Sequence, residues 1–71
     1  MHINHLLSEL STRARGAVRH VWMEHRDITT VEEFVDVVTL KDLKAIPNCG
    51  KRTVAEIYRM LRDMGYLLRA K

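Results

Sequence analysis

The stretch Ala45-Ile46-Pro47-Asn48-Cys49-Gly50-Lys51-Arg52-Thr53-Val54-Ala55-Glu56-Ile57 decides how this protein is read. Pro47 has no N–H and disfavours the α region for Ile46, so a helix arriving from upstream should end there. Asn48 and Gly50 are residue types that tolerate positive φ, which predicts a reversal within a few residues. A second helix should open at Lys51. Its first N–H groups are free, and the positive end of its dipole lies beside Lys51 and Arg52. The segment reads as a helix-hairpin-helix suited to holding a phosphate of a nucleic-acid backbone. A plain helix–turn–helix connection with solvated basic residues has the same spacing.

Downstream, the second helix should run from Lys51 to about Met64, burying Val54, Ile57, Leu61 and Met64. Arg52, Glu56, Arg59 and Asp63 form a ladder of alternating charge on its outer face. Gly65 is the expected stop, after which Tyr66-Leu67-Leu68 can fold back on the core. Upstream, Thr39 caps a short helix with Asp42 three residues on, pointing Leu40, Leu43 and Ile46 inward. Thr30 caps another with Glu33 at the capping-box position, and Val31, Phe34, Val35 and Val38 supply its apolar side.

Ser8 and Ser11 are both N-cap residue types, and Ser11 precedes the longest periodic run. There Leu10, Ala14, Ala17, Val18, Val21, Trp22 and His25 follow the spacing of a buried stripe. Gly16 in mid-helix costs about 1 kcal/mol relative to alanine, which suggests close backbone approach or a local weakness. Residues 2–8 form a short entry helix or an extended arm at a mobile terminus. The expected fold is all-α, a compact bundle of four to five short helices and no strand. Its organisation is an N-terminal arm or short helix at 1–8, the helix-hairpin-helix domain at 9–68 and a basic tail at 69–71.

With 71 residues and 46% apolar content, the protein has enough for one compact core but not for a deep cavity. A small-molecule active site is disfavoured on size alone. The single Cys49 excludes an internal disulfide and fits a reducing compartment. No apolar run approaches a membrane span, and the start lacks a signal-peptide layout, so a cytoplasmic protein is expected.

The net charge of +3 is unevenly spread. Arg13, Arg15, Arg19 and Arg26 face only Glu24 in residues 11–26, whereas Asp27, Glu32, Glu33, Asp36 and Asp42 dominate residues 27–43. Basic residues return from Lys44 onward. If the first and last segments pack together, one face becomes positive, as a polyanion binder requires. Ordinary solvated helix faces are the plainer reading.

No catalytic or metal constellation stands out. His2 and His5 share a helical spacing, whereas His20 and His25 do not face the same way, so neither metal nor cofactor is expected. Cys49 is either a thiol activated by the adjacent helix start or a small apolar plug. Trp22, on its periodic stripe, is expected in the core rather than stacked on a base. Met23, Met60 and Met64 are read as core or edge filling. No Ser/His/Asp order, paired inward carboxylates or nucleotide loop is visible, which argues against an enzyme.

The order Leu10-Ser11-Thr12-Arg13-Ala14, Thr30-Val31-Glu32-Glu33-Phe34, Leu40-Lys41-Asp42-Leu43 and the IPNCGKRTVAEI hairpin resembles the C-terminal domain of the bacterial RNA polymerase α subunit. The likeness spans roughly residues 8–66, and the hairpin with its helix is the specific part. The resemblance implies a helical domain that binds the minor groove of A+T-rich double-stranded DNA. It also implies contacts to transcription activators and the σ factor. By position, Arg13 matches the arginine that enters the minor groove, where narrow A+T tracts concentrate negative potential. Gly50 would admit a phosphate to the backbone, with Asn48 and Lys51 beside it in the same hairpin. Arg52 takes the place of a basic contact, and Thr53 offers a hydroxyl. Glu56 matches an acidic position, read as orienting a basic neighbour.

Gly16 stands where the family usually has an asparagine contacting the backbone, and Ala17 offers only a methyl group. The stretch from Val18 to Thr30 exceeds the family's by more than a helical turn, so the first helix or its loop should be longer. Glu9 alone represents the acidic patch toward the σ factor. No polymerase-assembly domain is present, which leaves an excised domain or a free-standing protein. The alternative function is a protein-interaction adaptor. In it the acidic middle (Glu32, Glu33, Asp36 and Asp42) or the long first helix docks on RNA polymerase, a σ factor or a regulator, with little DNA binding. A helix-hairpin-helix acting on branched or single-stranded DNA is the third reading.

Overall fold

Among the described residues, four of the five helices begin where a side chain receives their free N–H groups. The computed structural model describes every residue except Asn48, on which part of the expected reversal falls. Helix α1 spans Ile3–Glu9, and His2 Nδ1 accepts from the Asn4 N–H at 3.0 Å. Helix α2 spans Thr12–Glu24, with Ser11 Oγ accepting from Ala14 at 3.3 Å. Helix α3, Val31–Val37, starts in a complete capping box, Thr30 accepting from Glu33 and Glu33 from Thr30. Helix α4, Leu40–Lys44, repeats it with Thr39 and Asp42. Helix α5, Lys51–Asp63, follows Gly50 and has no side-chain cap. The protein is all-α among the described residues, apart from an isolated bridge between His2 and Thr30.

The core draws on every helix. Ile3, Leu6, Val18, Phe34, Leu43, Ile57 and Leu61 are fully enclosed, and burying a side chain of this size contributes about 1.5–3 kcal/mol. Of the two forms expected for residues 2–8, the short helix is the one present, as α1. Ile3 and Leu6 are anchors of the core, the Ile3 N–H donates to the Thr29 carbonyl, and that of Val31 donates to Met1. Helix α2 reaches Glu24, and the Trp22 indole then donates to the Ile28 carbonyl at 2.6 Å. That bond pins the long α2–α3 connection, whose Ile28 is buried. Trp22 packs half-buried on the core, but Met23 points outward, so it fills no core position.

One turn expectation holds and one needs correction. Helix α4 stops at Lys44, with Ala45 as its cap, ahead of Ile46 and Pro47. Gly50 has φ −78° and ψ 171°, an extended conformation open to any residue. Among the glycines the positive φ is that of Gly65, at 93°, which ends α5 as expected. Tyr66 N–H then donates back to the Leu61 carbonyl, and Leu68 is buried while Leu67 faces outward. The last residues are tied down. The first N–H groups of α4, Leu40 and Lys41, donate to the Arg69 and Ala70 carbonyls, and the Arg69 guanidinium donates to the Asp36 carbonyl.

Candidate nucleic-acid interface

Helices α2 and α5 pack against each other, which meets the condition for joining the two basic segments. Glu56, in the second turn of α5, reaches the cap of α2. Its Oε2 accepts from the Ser11 N–H and its Oε1 from the Ser11 hydroxyl, both at 2.7 Å. These two bonds favour the carboxylate and hold its pKa below the ordinary value. Glu56 therefore braces Ser11, the cap of α2, instead of orienting a basic neighbour. Among the described residues the charge ladder on α5 forms no ion pair; Met1 pairs with Glu32, and His20 lies 3.9 Å from Glu24.

The clasp sets the first turn of α2 against the hairpin. Between them lies an open hollow of about 180 Å³, lined by Arg13, Gly16, Ala17 and His20 on α2. Pro47, Cys49 and Thr53 line its other side. Arg13, Gly50, Lys51 and Arg52 are exposed, whereas Thr53 is only 5% exposed. A Cβ built on Gly16 or Gly50 would meet nothing within 4 Å. Internal packing therefore demands glycine at neither position, and the expected close approach of another part of the protein to Gly16 does not occur. Both positions leave bare backbone facing outward.

Residues 1–63 match the family model for the C-terminal domain of the bacterial RNA polymerase alpha chain. The protein belongs to that family. Membership makes it, in general terms, a DNA-binding module of transcription, and the family's domain is non-catalytic. The family's interactions are with DNA, RNA polymerase and transcription factors. No curated protein and no solved structure matches the sequence. Among the described residues, no helix is long and apolar enough to cross a membrane.

Several side chains of this α-subunit-type domain are already engaged inside the fold. Arg15 is one: its Nε donates to the Leu7 carbonyl and its Nη2 to that of Leu10, locking α1 to α2. It is thereby drawn away from the basic face on which the sequence placed it. Among the acidic residues considered for protein contact, Glu32 accepts from the Tyr66 hydroxyl at 2.7 Å and from the Met1 ammonium at 3.1 Å. The Tyr66 bond first, then its own backbone N–H and the Met1 ammonium, bring its pKa down to about 2. Glu33 is held low by bonds from Thr29 and Thr30. Glu9 and Asp36 are exposed.

Cys49 is half-buried, and that burial raises its thiol pKa. The thiolate is disfavoured, so the apolar-plug reading fits and the activated-thiol reading does not. His20 also lines the hollow, and the sequence did not single it out as a contact. The available signal was its place seven residues after Arg13, nearly the same face of one helix. No group of three or more described His, Cys, Asp or Glu residues could hold a metal ion.

Proposed function

We propose that this domain binds A+T-rich duplex DNA, with the Arg13 guanidinium in the minor groove and the hairpin on the flanking phosphates. In this reading the Gly50 backbone and the start of α5 receive a phosphate, Lys51 and Arg52 neutralise its neighbours, and Thr53 supplies a hydroxyl. Gly16 contributes bare backbone instead of a polar side chain. Asn48 joins the set by sequence position alone. Glu56 serves the site indirectly, by holding Ser11 and hence the turn that carries Arg13. The domain acts in the cytoplasm, beside RNA polymerase, a σ factor or an activator.

One observation carries this reading: Arg13 and the hairpin flank a single open hollow, in a register set by the Ser11–Glu56 clasp. Exposed arginine beside bare backbone suits a groove edge and its phosphates. The test is fluorescence anisotropy on A+T-rich and G+C-rich duplexes across salt. With roughly three or four phosphates neutralised, log K should fall against log salt with a slope of about −3. Affinity should be about micromolar or weaker at physiological salt. Arg13→Ala should erase the A+T preference, and Arg52→Ala should weaken both duplexes alike. Salt-independent binding, or a preference that survives Arg13→Ala, would reject the mechanism. Better binding to forked or single-stranded DNA would favour a repair-type helix-hairpin-helix instead.

A further inference from the structure

A groove of about 810 Å³ lies between α4, α5 and the C-terminal segment. Leu40, Val54, Tyr58 and Leu68 give it an apolar lining. Lys44, Lys51, Arg59 and Arg62 also line it and are all exposed, and no carboxylate does so among the described residues. None of these four cations makes an ion pair among the described residues. Cys49 lines both this groove and the hollow beside Arg13, so the hairpin is a wall common to the two.

Two requirements meet here. An apolar floor is best covered by apolar side chains, while four like charges around it are best relieved by carboxylates. Nucleic acid meets the second requirement but brings no aliphatic side chains, and protein–DNA interfaces are the more polar kind. An amphipathic acidic segment meets both. We propose that the α4–α5 groove docks an acidic amphipathic segment of a partner protein, its apolar side chains on Leu40, Val54 and Leu68 and its carboxylates on Lys44, Arg59 and Arg62. Apart from Lys51, the cations of this groove are not those assigned to DNA, so the docking surface stands or falls independently of the DNA-binding reading.

The probe is a fluorescein-labelled peptide of about 15 residues, leucine at i, i+3, i+4 and i+7 spacing and glutamate elsewhere. Two controls accompany it, a scrambled peptide and one with lysine for every glutamate. The acidic amphipathic peptide should bind the 71-residue protein, and both controls should bind at least about tenfold more weakly. Arg59→Glu with Arg62→Glu should weaken binding about tenfold. Ala55→Glu, at an exposed position lining the same groove, should weaken it independently, and circular dichroism checks that each variant keeps its helices. Binding untouched by either change, or equal binding of the lysine peptide, would overturn the proposal. So would self-association in sedimentation that is abolished by Ala55→Glu, because the occupant would then be a second copy. Displacement of the peptide by duplex DNA, with the Arg59/Arg62 reversal weakening duplex binding equally, would assign the groove to nucleic acid.

Discussion

Glu56 receives two hydrogen bonds from Ser11, a residue 45 positions earlier. Position on a helix face made it one rung of a charge ladder; packing made it a clasp from α5 to the start of α2. Removing it leaves the Ser11 N–H and hydroxyl without this acceptor. Glu56→Ala should therefore cost about 1 kcal/mol, lowering Tm by about 4–8 °C in a domain of this size. Thermal melting followed by circular dichroism measures it. A double-mutant cycle with Ser11→Ala should show the two losses to be non-additive, because they delete one interaction. Duplex affinity should fall as well, although Glu56 contacts no phosphate in the proposed complex.

Among the elements, glycine has opposite meanings in α2 and after α5. Gly16 is exposed in mid-helix, and an added methyl would meet nothing within 4 Å. Gly16→Ala should thus stabilise the fold by about 1 kcal/mol. Because Gly16 lines the proposed contact hollow, the same change should weaken duplex binding. Stability gained with affinity unchanged would remove Gly16 from the interface. Gly65 sits at φ 93°, where a β-carbon is strained, and Gly65→Ala should destabilise by about 1–2 kcal/mol. Urea denaturation of the two variants should show midpoints moving in opposite directions. These element-level features were legible in the sequence because caps and stops work within a turn or so of the backbone. The boxes at Thr30–Glu33 and Thr39–Asp42 formed as their spacing required. The cap of α1 was missed, since a histidine ring nitrogen in that role has no comparable sequence signature.

For the whole molecule, the carboxylates couple folding to pH. Glu32 is lowered from 4.5 to about 2, chiefly by Tyr66, and Glu33 and Glu56 are lowered by their own hydrogen bonds. Their unfolded forms take up protons first as pH falls. The stability they contribute is present above the ordinary carboxylate range and is lost on acidification, for Glu32 between 4.5 and about 2. Tyr66→Phe removes the largest cause and should narrow that acid-sensitive window toward 4.5, seen as Tm measured from pH 7 down to 2. At the alkaline end the sign reverses. Tyr66 is raised by its bond to Glu32, so that contribution holds below its ordinary pKa of 10 and is lost as pH rises through the raised value.

Residue order alone dictated the all-α class, the helix starts at Ser11, Thr30 and Thr39, the stop at Gly65 and the basic hairpin. Each rests on groups a few residues apart, where backbone geometry dictates who meets whom. Tertiary packing settled that α1 is part of the core, that the Arg15 side chain on α2 bonds to α1, that Glu56 grips Ser11 and that Glu32 answers to Tyr66. It also opened the hollow and the groove on either side of the hairpin. Apart from the Arg15 bonds, these contacts join distant parts of the sequence, and their geometry exists only once the apolar faces of the helices have been packed away from water.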